Sequence, residues 1–205
     1  MMQRNPFSTR FTRPGSLPFL FPKGSSIDRL VARFEATGYQ GAIVGPHGSG
    51  KSTLLETLHL RWSKMGITEQ RVRLTASQKC QTIEWNTLGP DSILVIDGFE
   101  QLSFWRQRWI RWRCRRQRSR LLVTCHAPCG ISVVLRTQAD WELARTLAGV
   151  LLERDATAYE NELRKIWDEQ PGDIRAYFFR LYHWCESQRI YQPMGDSYPP
   201  QSLPV

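Results

Sequence analysis

Short, uninterrupted apolar runs alternate along this chain with longer stretches in which apolar residues return every three or four positions. Gln40–Val44, Ser92–Ile96 and Leu121–Cys125 are runs of the first kind, the pattern of strands buried on both faces of a parallel sheet. Arg71–Thr75 and Ile131–Arg136 read as two further strands. Helical periodicity fills Lys51–Met65, closed by Gly66, and then Leu102–Gln117 and Asp140–Leu152. Upstream, Ser26 is placed to cap a helix with the stripe Ile27, Leu30, Val31 and Phe34, and Gly38 to stop it. Strands alternating with helices predict an α/β fold with a mainly parallel, five-stranded sheet. Residues 155–187 carry no strand signal and read as two helices broken at Pro171-Gly172. The organisation expected is an extended Pro/Arg-rich arm over 1–25, held by Phe19, Leu20 and Phe21; a core over 26–153; a small helical part over 154–187; and an irregular tail over 188–205.

Composition narrows this picture. With 41% hydrophobic residues among 205, the chain can bury a real core. No apolar run reaches the length of a membrane-spanning helix. Pro6, Pro14, Pro18 and Pro22 break up the basic N-terminal stretch, so no signal peptide is predicted and a cytoplasmic location is expected. Five cysteines form no framework spacing, and free thiols are the simplest expectation. Cys125 and Cys129 flank His126, which raises a zinc reading, but a fourth ligand at suitable spacing is missing. The net charge of +9 favours an acidic partner.

The strongest chemical signal is Gly45-Pro46-His47-Gly48-Ser49-Gly50-Lys51-Ser52, followed by Thr53. It fits the phosphate-loop pattern G-x-x-x-x-G-K-[ST], with a strand before it and a helix after it. Glycines let the backbone curl until several N–H groups face one phosphate. The helix start adds positive potential. Lys51 would reach the β- and γ-phosphates, and the Ser52 hydroxyl would serve Mg²⁺. Asp97 ends the apolar run Ile93–Ile96, as a carboxylate holding Mg²⁺ beside such a loop should. Glu100, three residues on, reads either as the base that orients an attacking water or as a solvent-facing residue of the next turn.

These motifs resemble the additional-strand P-loop ATPases, within them the AAA+ and STAND-like groups, over roughly Ser26 to Arg189. The resemblance implies a three-layer P-loop NTPase sandwich with a helical lid that binds Mg-ATP. ATP itself comes only from the resemblance, because a phosphate loop reads phosphates and not the base. In that class the strand after the one that ends in the Mg²⁺-holding carboxylate (Walker B, here Ile93–Asp97) lies between it and the loop strand and ends in a polar sensor. Leu121-Leu122-Val123-Thr124-Cys125-His126 is similar to that strand, which makes Thr124 the sensor, with His126 the weaker choice. Pro171-Gly172-Asp173-Ile174-Arg175 is similar to the opening of a lid helix, and Arg175 falls at the second sensor position. The Asp97-Gly98-Phe99-Glu100 run resembles the spaced acidic pair of STAND proteins and departs from the adjacent Asp-Glu of most AAA+ proteins. The stretch His126–Gly130 is too short for the helix that carries an arginine finger in AAA+ rings, although Arg136 stands on the next strand. A signature resembling that of ABC ATPases is missing, and Glu100 stands where GTPases need glycine.

Phe104–Arg120 holds eight arginines and three tryptophans. In a helix Leu102, Trp105, Trp109 and Trp112 are expected on one face, packed as core. Arg108, Arg111, Arg115 and Arg118 are expected opposite them, as a solvent-facing rail that a nucleic acid or an acidic protein would neutralise. Arg113 and Arg116 are placed to reach over tryptophan rings. The reading is therefore a nucleotide-dependent switch that hydrolyses ATP. A P-loop small-molecule kinase and a slow-turnover, nucleotide-gated adaptor stand as alternatives.

Overall fold

The computed structural model describes residues 3–75, 83–152 and 156–193. Elements follow in chain order as β1 (Gln3–Arg4), α1 (Thr9–Thr12), α2 (Ile27–Ala36), β2 (Gln40–Val44), α3 (Lys51–Lys64), β3 (Thr68–Arg73), β4 (Ser92–Asp97), α4 (Phe104–Gln117), β5 (Arg120–Cys125), β6 (Val133–Arg136), α5 (Trp141–Leu152), α6 (Glu160–Asp168), α7 (Ile174–Gln188) and β7 (Gln192–Pro193). The chain divides into two compact units. One comprises residues 21–46 and 54–137; the other, within the described residues, comprises 3–20, 47–53 and 138–193.

The first unit holds a five-stranded, all-parallel sheet in the order β3-β4-β5-β2-β6. Every residue of β2 is buried, as are the first five of β4 and the last five of β5, which is why their apolar runs are continuous. Alternation splits these side chains between two faces. Ala42, Val44, Leu94, Ile96, Leu121 and Val123 join Ile110 and Cys114 of α4 in one core. On the other face Gly41 meets Phe34 of α2: a Cβ there would stand 2.8 Å from the Phe34 ring and 2.7 Å from Val134. Ser26 caps α2 by accepting from the Arg29 N–H.

β3 begins at Thr68 rather than Arg71. It is an edge strand, and its first four residues are exposed or half-buried. Its apolar signal is confined to Val72 and Leu74, so the expected strand was displaced toward its C-terminal end.

α4 corrects a larger expectation. Its buried positions are Ile110 and Cys114, at 1% and 0% exposure. Trp105, Trp109 and Trp112 are instead 76%, 45% and 53% exposed. Small and aliphatic residues fit closely against the sheet, whereas a buried tryptophan stripe would carry its flanking arginines inward. Arg108, Arg115 and Arg118 are exposed as expected, but Arg108 and Arg115 share the exposed face with the tryptophans rather than lying opposite it, and Arg111 is half-buried. Arg113 does lie over the Trp85 and Trp109 rings, and Arg116 over Trp112.

In the second unit α5, α6 and α7 build a helical core around Leu151, Leu163, Tyr177 and Leu181. The N-terminal segment joins it. Rather than running extended throughout, it forms β1 and α1 and buries Phe7, Phe11 and Leu17 in that core. Asn5 donates to the Tyr182 carbonyl at 2.9 Å and to Glu186 at 2.8 Å, and β1 pairs antiparallel with β7. The expected tail beyond Pro193 lies outside the described residues.

Candidate functional site

In the sheet unit, parallel register sets three strand ends on one edge. Val44 of β2 pairs with Cys125 of β5, and Asp97 of β4 pairs with Thr124. β5 thus separates β2 from β4, the place expected for the strand carrying Thr124. Thr124 is 1% exposed, and its hydroxyl donates to Asp97 Oδ1 at 2.5 Å while accepting the Gly98 N–H at 3.1 Å. A hydroxyl has one proton, so Thr124 orients the carboxylate and keeps a lone pair for one further donor. Arg73 Nε lies 3.7 Å from Asp97 Oδ2. Gly98 sits at φ +88°, with the Leu74 carbonyl 2.7 Å from where a Cβ would stand, so the turn after Asp97 requires glycine.

Glu100 lies in the turn Phe99–Gln101 and is not a freely solvated residue. Its Oε1 is 3.2 Å from His126 Nε2, and its Oε2 is buried with no hydrogen-bond partner among the described residues. The other ring nitrogen of His126 is 3.3 Å from the Gly45 carbonyl. His126 therefore lies between Glu100 and the Gly45 carbonyl, a placement sequence alone did not supply. The Gly45 N–H donates to the Cys125 carbonyl at 3.1 Å, continuing the β2–β5 ladder into the loop. Cys125 and Cys129 share a thiol hydrogen bond. That bond, ahead of nearby Arg111, lowers the Cys129 pKa to about 7; the same bond, with burial, pushes Cys125 well up. Among the described residues no three His, Cys, Asp or Glu side chains converge as a metal cluster, so Cys125, His126 and Cys129 do not form one.

In the other unit lie His47–Thr53. Gly48 and Gly50 both take left-handed backbone, at φ +67° and +89°, and α3 begins at Lys51. Lys51 is 9% exposed, with Ser52 and Thr53 half-buried in the same turn. The opening turn of a helix presents N–H groups that lack intrahelical acceptors, and glycines bend the chain back toward them. Phe19 lies against Gly50, its ring 3.3 Å from a notional Cβ. Asp173 is the contact that sequence reasoning missed. It caps α7 by accepting from the Ala176 N–H at 2.9 Å, and its Oδ1 stands 1.8 Å from where a Gly48 Cβ would be. The Ile174 N–H also donates to the Gly48 carbonyl at 3.2 Å. Arg175 follows, exposed in the first turn of α7. The signal was present in Gly172-Asp173-Ile174, a cap before an apolar residue, but its partner across the chain was not.

No family model matches the chain, and no curated protein compared with it shows detectable sequence similarity. Among the described residues no helix is long and apolar enough to cross a membrane.

Proposed function

We propose that this chain is a P-loop ATPase of the additional-strand type, resembling the AAA+ and STAND-like groups, that binds Mg-ATP and acts as a nucleotide-dependent switch. One observation carries the reading: Gly45–Ser52 runs from a fully buried parallel strand, through two left-handed glycines, into a helix that begins at Lys51. The donor set supports a magnesium ion. Within the sheet unit, Asp97 offers a carboxylate held by Thr124, and Glu100 keeps a buried oxygen without a hydrogen-bond partner among the described residues. Oxygen donors in small number suit Mg²⁺, which completes its shell with water and substrate phosphates.

In this reading Gly45, Pro46, His47, Gly48, Ser49, Gly50 and Thr53 shape the phosphate cradle. Lys51 neutralises phosphate, Ser52 and Asp97 hold the metal, and Glu100 accepts the proton of the attacking water. Mg²⁺, when bound, withdraws charge from the β- and γ-phosphates. Thr124 keeps Asp97 oriented, and Arg175 reads the γ-phosphate from the start of α7. An acidic partner, nucleic acid or protein, would meet the switch at α4.

A second reading, a nucleotide-gated adaptor with negligible turnover, is favoured by a separate observation. The link between β5 and β6 contains no helix, so it offers no scaffold for an arginine finger acting on a neighbouring copy.

Calorimetry and phosphate release test both readings. Lys51→Ala is expected to weaken Mg-ATP binding by at least about tenfold, the value of one charge-assisted contact. Asp97→Ala is expected to abolish release and the magnesium dependence of binding. Unchanged affinity in Lys51→Ala sinks the loop assignment. Tight binding with background release selects the adaptor.

A further inference from the structure

The exposed face of α4 mixes rings and charges in a way the packing of the sheet does not require. Phe104, Trp105, Trp109 and Trp112 are 68%, 76%, 45% and 53% exposed. Such residues ordinarily sit inside. At about 100° per residue, Arg115, Arg108, Trp112, Trp105, Arg116 and Trp109 follow one another around an arc of about 120°. Tryptophans and arginines therefore share one face, with no acidic residue anywhere on the helix. Among the described residues no carboxylate lies within ion-pair distance of Arg108, Arg115 or Arg116. The rings are also held. Trp109 packs edge-to-face on Trp85 at 5.0 Å, Phe104 on Trp105 at 5.5 Å, and the Arg116 guanidinium sits 6.0 Å from the Trp112 centroid.

We propose that this face binds single-stranded nucleic acid, with unpaired bases stacking on Trp105 and Trp112 and phosphates taken by Arg108, Arg115 and Arg116. Charge complementarity selects this occupant. A strand presents one flat ring and one phosphate per nucleotide, and the helix presents rings and guanidinium groups interleaved along one line. A duplex hides its base faces and leaves the tryptophans unused. A membrane surface selects a helix with an apolar face separated from its basic one, and here the two coincide. The inference identifies the partner class of the proposed switch, but it is read without nucleotide, so its failure is separate from a failure of ATP binding.

The test is fluorescence anisotropy of labelled 20-mer oligothymidylate, 20-mer polyuridylate and a 20-bp duplex, titrated with the whole chain over a salt series. Three phosphate contacts on a single strand give a log–log salt slope of about −2. Trp105→Ala and Trp112→Ala are each expected to weaken single-strand binding about tenfold. Arg108→Ala with Arg115→Ala should flatten the slope by about 1.4. Circular dichroism and the urea midpoint report that each variant is folded. Equal affinity for duplex and single strand, or binding unmoved by both tryptophan variants, overturns the proposal, as does the absence of binding at low salt. Tighter, tryptophan-dependent binding to anionic vesicles or to polyglutamate overturns it in favour of a membrane or an acidic protein.

Discussion

Thr124 gives its only proton to Asp97, and that choice shapes the chemistry at the end of the sheet. The carboxylate is oriented, the turn after it is fixed by the Gly98 N–H, and Thr124 keeps one lone pair for a further donor. Four residues on from Cys125, Cys129 is a second residue made more reactive by its surroundings. Its thiol accepts from Cys125 and lies in the field of Arg111, and both favour the thiolate. Alkylation followed peptide by peptide is expected to label Cys129 with a midpoint near pH 7. Cys114, whose pKa burial raises to about 11, and Cys185, raised to about 12, should stay unlabelled up to pH 9. The same shift carries a sign for stability. A group that is more acidic when folded contributes stability above its unfolded pKa, near 9, and loses it as pH falls through about 7. Cys129→Ser should remove that dependence, seen as a urea midpoint that no longer drops between pH 9 and pH 6.

α4 shows how far composition misleads at the scale of an element. Three tryptophans at helical spacing read as core, yet Ile110 and Cys114 do the packing. The reason is geometric: arginines flank each tryptophan, and a helix rotated to bury the rings would take guanidinium groups under the sheet without partners. Urea unfolding separates the two arrangements. Ile110→Ala is expected to cost roughly 2–5 kcal/mol as a fully buried truncation, and Trp105→Ala about 0.5 kcal/mol or less as a surface one. The reverse order would put the tryptophans back in the core. The central strands were legible because a strand buried on both faces is apolar through its middle, and Ala42–Val44, Ile93–Ile96 and Leu121–Val123 are, with polar residues only toward the strand ends. β3 was only half legible, because an edge strand needs apolar residues on no more than one side. The N-terminal segment was read as extended because its prolines hide a single helical turn, and the burial of Phe7 and Phe11 is decided by helices far along the chain.

At the scale of the whole molecule, the Gly45–Ser52 turn from strand to helix was legible because its eight residues are contiguous, whereas its neighbour was not. The middle of the loop belongs with the C-terminal helices: Gly48 accepts from the Ile174 N–H, and Asp173 fills the space a side chain at Gly48 would need. Anything that reshapes the loop backbone must therefore be felt at the start of α7, whose first amides are satisfied by that loop and by Asp173 itself. Mg-ATP is accordingly expected to raise hydrogen-exchange protection at Ile174, Ala176 and Tyr177, and Lys51→Ala to abolish the change. The effect should be confined to that turn and the loop, because the amides of β4 and β5 are already bonded on both sides by neighbouring strands and have little protection to gain. Nucleotide bound, as seen by calorimetry, with no change at Ile174 would show that the loop and α7 are neighbours without being coupled. It would leave Arg175 as a surface residue and remove the structural route by which a switch at the phosphates reaches the helices.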